Sequence, residues 1–325
     1  MNSASAACTW PFLKRLVLPL IAAPMLRVSG IELVSAACRA GIIGAFPTPN
    51  ARTIEELESW LIRLDQERDK ARDTGQPFGA YCPNLIMRRD PGALRDAITL
   101  FTKHKTEVVI TSVGSPAAVM PVLRDAGIRV LADVASIRHA QKAIDVGVDG
   151  LVLLTAGAGG KTGWANPFAF VRAIRAFYDG PIVLAGGLSD GASLRAAEVL
   201  GCTLGYMGTR FIGAAESMAS LAYKKMLVAS SLDDIVLTRA FTGLPASWLR
   251  ASIVAAGYDP DSLPEHLSPE EATTRFGTSP DADRPARWAD IWSAGHSVSG
   301  VSNVQPVADI VAEIHTEYLR ARTAV

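Results

Sequence analysis

Hydrophobic positions along the chain follow two alternating periods. Between about residues 16 and 210, short runs that are apolar at nearly every position lead into turns containing Gly, Pro, Ser or Asp, and then into longer stretches with apolar residues at i, i+3 and i+4. The first pattern suits a strand covered on both faces, and the second suits a helix covering it. The runs predict strands at 16–25, 42–46, 77–82, 107–113, 129–134, 150–156, 181–187 and 204–209. Amphipathic segments such as TIEELESWLIRLDQE, ALRDAITLFTKH, SIRHAQKAIDVG and GASLRAAEVLG predict the intervening helices, several with Gly near the end as a C-cap.

Eight successive strand–helix units predict a closed (β/α)8 TIM barrel. An open doubly wound sheet is the alternative, and it would leave two strand edges unpaired. After Phe211 the rhythm breaks. Residues 217–299 read as a small helical insertion or lid, with SLAYKKMLVASS and ASWLRASIVAAG helical and a loop rich in Pro, Asp, Ser and Glu following them. A last amphipathic helix, PVADIVAEIHTEYLRAR, completes the outer ring, so residues 1–216 and 300–325 are assigned to the barrel.

Composition narrows the function. With 49% hydrophobic and 20% charged residues, the 325-residue chain has material for one large core and is not disordered. Lys plus Arg balances Asp plus Glu at 32 each, which removes the excess positive charge expected of a nucleic-acid or anionic-membrane binder and leaves small molecules as partners. Cys8, Cys38, Cys82 and Cys202 are widely spaced, without CxxC pairs, as in a protein of the reducing cytoplasm. The N-terminal MNSASAACTWPFLKRL lacks the layout of a secretory signal, and the run 16–25 is too short to span a bilayer.

In a barrel the chemistry gathers at the carboxyl ends of the strands, and the loops after the last two strands commonly hold phosphate. Here those loops are AGGLSDG (185–191) and MGTRF (207–211). Gly186, Gly187 and Gly208 let backbone N–H groups approach an anion, and Thr209 adds a hydroxyl. Glycine is also common in plain turns, so the argument rests on two such turns at consecutive strand ends. GAGGKTG (157–163) is no Walker A loop, because the required first glycine would fall at Thr155. No HExxH, His/Cys cluster or acidic pair marks a metal site.

Taken together, LIAAPM, GAFPTPNARTIEEL, NLI, VITSVG, VLADVASIRHAQKAIDVGVDGLVLLTAGAGGKTG, PIVLAGGLSDG, YMGTRF and IWSAGHSVSGV resemble the nitronate monooxygenase (2-nitropropane dioxygenase) family over nearly the whole chain. Its relatives include NADH:quinone reductases and FMN-type enoyl-acyl-carrier-protein reductases. The resemblance implies an FMN-dependent oxidoreductase that oxidises an anionic alkyl nitronate with O2. It implies that Ala23, Pro24 and Met25 run under the flavin, that Asn84 lies at its polar edge, and that Gly159 and Gly160 face the ring. Gly186, Gly187, Gly208 and Thr209 would hold the phosphate. Two other readings stay open: a reductase taking hydride from NAD(P)H, and a flavin-binding barrel without catalysis. The oligomeric state is also open, with a homodimer as one option.

Two positions depart from the family pattern. Where nitronate-oxidising relatives carry a histidine after the sixth strand, this chain has Lys161. An imidazole with a pKa of about 6.5 serves as a base near neutrality, whereas a lysine at about 10.4 is mostly protonated, which suits it to clamping an anion. Asp133 stands at the fifth strand's end, where some relatives place a lysine near the flavin, and is taken as a pocket residue. His296, in a Gly/Ser-rich loop that the family folds towards the pocket, is a candidate for touching substrate. Trp164 and Trp292 flank the same region as lid or core. His139 reads as a helix-face residue, and His104, His266 and His315 read as surface positions.

Overall fold

A computed structural model describes residues 10–277 and 285–324. Its strands are β1 (Leu20–Ala22), β2 (Ile43–Pro47), β3 (Tyr81–Ile86), β4 (Val108–Ser112), β5 (Arg129–Val134), β6 (Gly150–Leu154), β7 (Gly160–Lys161), β8 (Ile182–Ala185), β9 (Leu204–Met207), β10 (Ile235–Thr238) and β11 (Ala246–Leu249). The first helices are α1 (Ile31–Arg39), α2 (Ile54–Thr74), α3 (Pro91–Lys103), α4 (Met120–Asp125), α5 (Ile137–Asp145), α6 (Pro167–Arg175) and α7 (Gly191–Val199). They are followed by α8 (Thr209–Ile212), α9 (Leu221–Val228), α10 (Arg250–Ala255), α11 (Pro269–Phe276) and α12 (Val307–Thr323).

Strands β1 to β6, β8 and β9 form a closed parallel barrel, with β9 pairing back onto β1 through Ile21↔Tyr206 and Ala22↔Met207. Closure excludes the open sheet and leaves no barrel edge unpaired. Alternate residues point inward, among them Ile21, Ile43, Cys82, Ile110, Leu131, Val152, Val183 and Leu204, which pack together as the barrel interior. Their neighbours point outward into the larger core beneath the helices. A 3-10 turn, Pro11–Arg15, places Trp10 and Phe12 in that interior cluster, where they add bulk that the short strands do not supply. Helix α12 docks on α7 so closely that a Cβ at Gly191 would lie 2.1 Å from the Tyr318 nitrogen.

Several expectations shift. The third strand runs over Tyr81–Ile86 rather than 77–82. Pro83 lies inside it, and a proline that cannot donate to the ladder is a poor sequence signal for a strand. Residues 217–299 contain helices α9, α10 and α11, and also β10 and β11, which join β7 in a three-stranded sheet in the order β10-β11-β7. This region has a small core of its own, in which the Phe241 ring stands edge-on to Trp248 at 5.0 Å and to Phe276 at 4.8 Å. His104 is buried, contrary to its reading as a surface position. As the C-cap of α3 it sits where the chain turns inward, and its Nδ1 lies 2.7 Å from Asp65 Oδ2 on α2. His139 and His266 are exposed, and His315 is half-buried. Cys38, Cys82 and Cys202 are buried free thiols, while Cys8 and the start of the N-terminal segment lie outside the described residues. Among the described residues, no helix is long and apolar enough to cross a membrane.

Candidate active site

Strand alternation builds the floor of the site. Moving two residues towards the carboxyl end from each interior side chain reaches Ala23 just past β1, Asn84 on β3, Ser112 on β4, Asp133 on β5, Leu154 on β6, Ala185 on β8 and Tyr206 on β9. Ala23, Asn84 and Asp133 of the sequence-derived set therefore share one layer, and Ser112 and Tyr206 join them. The Ser112 hydroxyl donates to Asn84 Oδ1 at 3.1 Å, which orients the amide. Pro24 and Met25 are half-buried in the loop leaving β1. Asn50 holds that loop: its Nδ2 donates to the Met25 and Ser29 carbonyls, both at 2.9 Å, and its Oδ1 accepts from the Arg27 N–H at 2.8 Å. Asn50 was missed as a positioning residue, although it stands within the quoted TPN stretch.

The two glycine turns leave neighbouring strands at the same height. Ala185 pairs with Tyr206, so Gly187 and Gly208, each two residues further on, stand level. Gly186 is required by packing as well as conformation: its φ is +127°, and a Cβ there would lie 2.3 Å from Thr155 Oγ1. Gly187 differs. Its φ of +78° also favours glycine, but a Cβ there would meet no atom of the described residues within 4 Å. Space beside the Gly187 backbone is therefore open. A Cβ at Gly208 would lie 3.4 Å from Met25 Sδ, which puts Met25 beside this turn. Thr209 is buried, and its Oγ1 accepts the Gly295 N–H at 2.9 Å. That hydroxyl keeps its own proton for another acceptor.

Residues 155–163 form the facing wall. Thr155 donates through Oγ1 to the Ala185 carbonyl at 2.8 Å, and the Thr162 hydroxyl donates back to the Thr155 carbonyl at 2.8 Å. Lys161 itself sits on β7, fixed by pairing with Ala246 of β11. A Cβ at Gly159 would lie 2.8 Å from the Gly295 nitrogen and 3.3 Å from Thr209 Oγ1, so the wall, the second glycine turn and the His296 loop converge there. His296 is exposed, its N–H donates to the Gly157 carbonyl at 2.9 Å, and a Cβ at Gly157 would lie 2.8 Å from its Nδ1. Gly160 has its side-chain position near Trp288, at 3.6 Å. Trp164 is 84% exposed and shields nothing, whereas Trp292 stacks on Tyr223 at 4.9 Å as packing.

The charges are unevenly arranged. Burial pushes the Asp133 carboxyl up to about 7, with the Lys161 charge opposing the rise. Its Oδ1 is shut off from solvent and has no hydrogen-bond partner among the described residues. Burial likewise raises the Tyr206 phenol well above its usual value, and Asp133 and Cys82 add to that rise. Lys161 is exposed along its strand, but desolvation in the crowded mouth is the largest effect lowering its pKa, followed by repulsion from Arg287. Asp133 acts in the other direction, and Arg88 adds to the lowering. Lys161 is thus the cation that acts on the Asp133 carboxyl, while Arg287 and Arg88 act on Lys161.

Comparison with known proteins settles the family. The model of the family described as nitronate monooxygenase matches residues 11–317. The chain belongs to the nitronate monooxygenase family. A nitronate monooxygenase from Paraburkholderia phytofirmans is 27% identical, with 92% of each chain covered. A relative from Mycobacterium tuberculosis, (3aS,4S,5R,7aS)-5-hydroxy-7a-methyl-1-oxo-octahydro-1H-indene-4-carboxyl-CoA dehydrogenase, is 28% identical over 73% of this chain and 64% of its own length. Among solved structures, FabK from Thermotoga maritima has a TM-score of 0.78 at 25% identity, covering 96% of both chains. As a member of the nitronate monooxygenase family, this chain is an oxidoreductase.

Proposed function

We propose that the protein is an FMN-dependent oxidoreductase that oxidises a small anionic substrate of the alkyl nitronate class with O2. The observation that carries the reading is the level pair of turns at Gly187 and Gly208, with open space beside Gly187 and the buried Thr209 hydroxyl next to it. Such an arrangement suits a phosphate received by backbone N–H groups. The unpartnered Asp133 Oδ1 also fits a polar ring placed over the floor, since a buried polar atom without a partner is costly unless a ligand supplies one. FMN, when bound, supplies the two-electron carrier that no side chain provides.

The remaining work falls to the chain's own residues. Gly186, Gly187, Gly208 and Thr209 hold the phosphate, while Ala23, Pro24, Met25 and Asn84 seat the ring, with Gly159 and Gly160 facing it. Lys161 binds the anionic end of the substrate, and Arg88 and Arg287, close enough to lower its pKa, add to the positive potential over the mouth. His296, held against Gly157, forms the wall beside the substrate. Anaerobic mixing tests the reading: alkyl nitronates should bleach the bound flavin rapidly and NADH slowly. Rapid bleaching by NADH alone would instead assign an NAD(P)H-dependent reductase.

A further inference from the structure

We propose that Asp133 carries a proton at the floor of the site and donates it in a hydrogen bond to the ring of FMN, so that the cofactor binds together with a neutral carboxylic acid. The inference rests on the flavin reading above and goes beyond it by assigning the state and partner of one side chain.

Geometry leaves Asp133 one direction for a partner. It stands in the uppermost inward layer of β5, and the interior beneath it is filled by apolar side chains from neighbouring strands, including Ile110, Leu131 and Val152. Its Oδ1 is inaccessible to solvent and unbonded among the described residues. Apolar side chains close the directions beneath it, and Asp133 as a whole is only half-buried, so a partner for the carboxyl approaches from the mouth. The titratable groups that face the carboxyl are Cys82 on β3, Lys161 on β7 and Tyr206 on β9. Burial holds the Cys82 thiol and the Tyr206 phenol in their neutral forms, so Lys161 is the only one of the three to offer positive charge. That single charge does not keep the carboxyl fully ionised at neutrality, because burial outweighs it. A ring laid across the floor removes remaining solvent and supplies an acceptor, and both effects favour the acid form further.

Linkage turns this into a measurement. If bound FMN raises the proton affinity of Asp133, FMN affinity must fall as pH rises, by about tenfold for each unit of that increase. Fluorescence titration with FMN between pH 7 and 9, where the free phosphate is already doubly charged, should show Kd rising about tenfold for the wild type. The variant Asp133→Asn should stay within about twofold over that range, and Lys161→Met, which removes the charge opposing protonation of Asp133, should move the rise to higher pH. Calorimetry of wild-type protein in buffers of different ionisation enthalpy gives an independent measure, and FMN binding at pH 7.5 should take up protons. A pH-flat wild-type affinity, an Asp133→Asn slope equal to wild type, or no proton uptake would overturn the assignment to Asp133. A wild type that binds no FMN at any pH would refute the flavin reading itself.

Discussion

The site's two walls differ in how they are made. The glycine turns at 186–187 and 208–209 are fixed by barrel register: once Ala185 pairs with Tyr206, both turns must emerge level. The wall bearing Lys161 has no such guarantee. It is set by a two-residue strand, β7, whose partner β11 lies 85 residues downstream, counting from Lys161 to Ala246. One wall is a property of the barrel; the other depends on the insertion. The first suits a function common to many barrels, cofactor retention, and the second suits substrate choice.

Substitutions can break this division. The largest effect is expected from Gly187→Val, which puts a branched side chain into the open space at a φ that disfavours it; the protein should purify colourless, and a variant that is still yellow would remove the phosphate from this turn. Next, Lys161→Ala should raise KM for an anionic substrate by about tenfold to a hundredfold, the range expected on losing a charged hydrogen bond, while FMN Kd changes little. Equal losses in both would erase the distinction between the walls.

A smaller effect concerns stability. The folded Asp133 carboxyl titrates at about 7, whereas an unfolded one titrates at about 3.9. A pKa raised by folding means stability that is complete below the unfolded value and is lost as pH rises towards the folded value. Asp133→Asn has no charge to bury, so its Tm should exceed that of the wild type by several degrees at pH 8 and differ little at pH 4. Differential scanning calorimetry at the two pH values checks the sign, and an unchanged difference would show that the carboxyl is not the group being desolvated.

The same contrast explains what was legible in the sequence. Local signals found the barrel, because each strand carries its own apolar run and each helix its own period. They also found the glycine turns, which are contiguous motifs at strand ends. Asp133 was read as a pocket residue, but the unpartnered state of its Oδ1 among the described residues follows from packing among β3, β5 and β9, which no local pattern encodes. Pro83 concealed half of β3, and with it the fact that Asn84 is a strand residue aimed inward. β7 was invisible because Gly-Lys has no strand signal without Ala246 and Ser247 beside it. His104 was misread because its contact with Asp65 joins two helices.

One hydrogen bond ties the two functions together unequally. Thr209 accepts the N–H of Gly295 with the same oxygen that would serve the proposed phosphate site, and His296 is the next residue along. Remodelling residues 294–300 to admit a new substrate would therefore disturb the proposed cofactor seat at Thr209, whereas remodelling the β7–β11 pairing leaves the Thr209 turn alone and reaches that seat only through Gly160. For anyone redesigning this enzyme, or for selection acting on it, the Lys161 side is the freer place to innovate, and the His296 side is constrained by what it must keep holding.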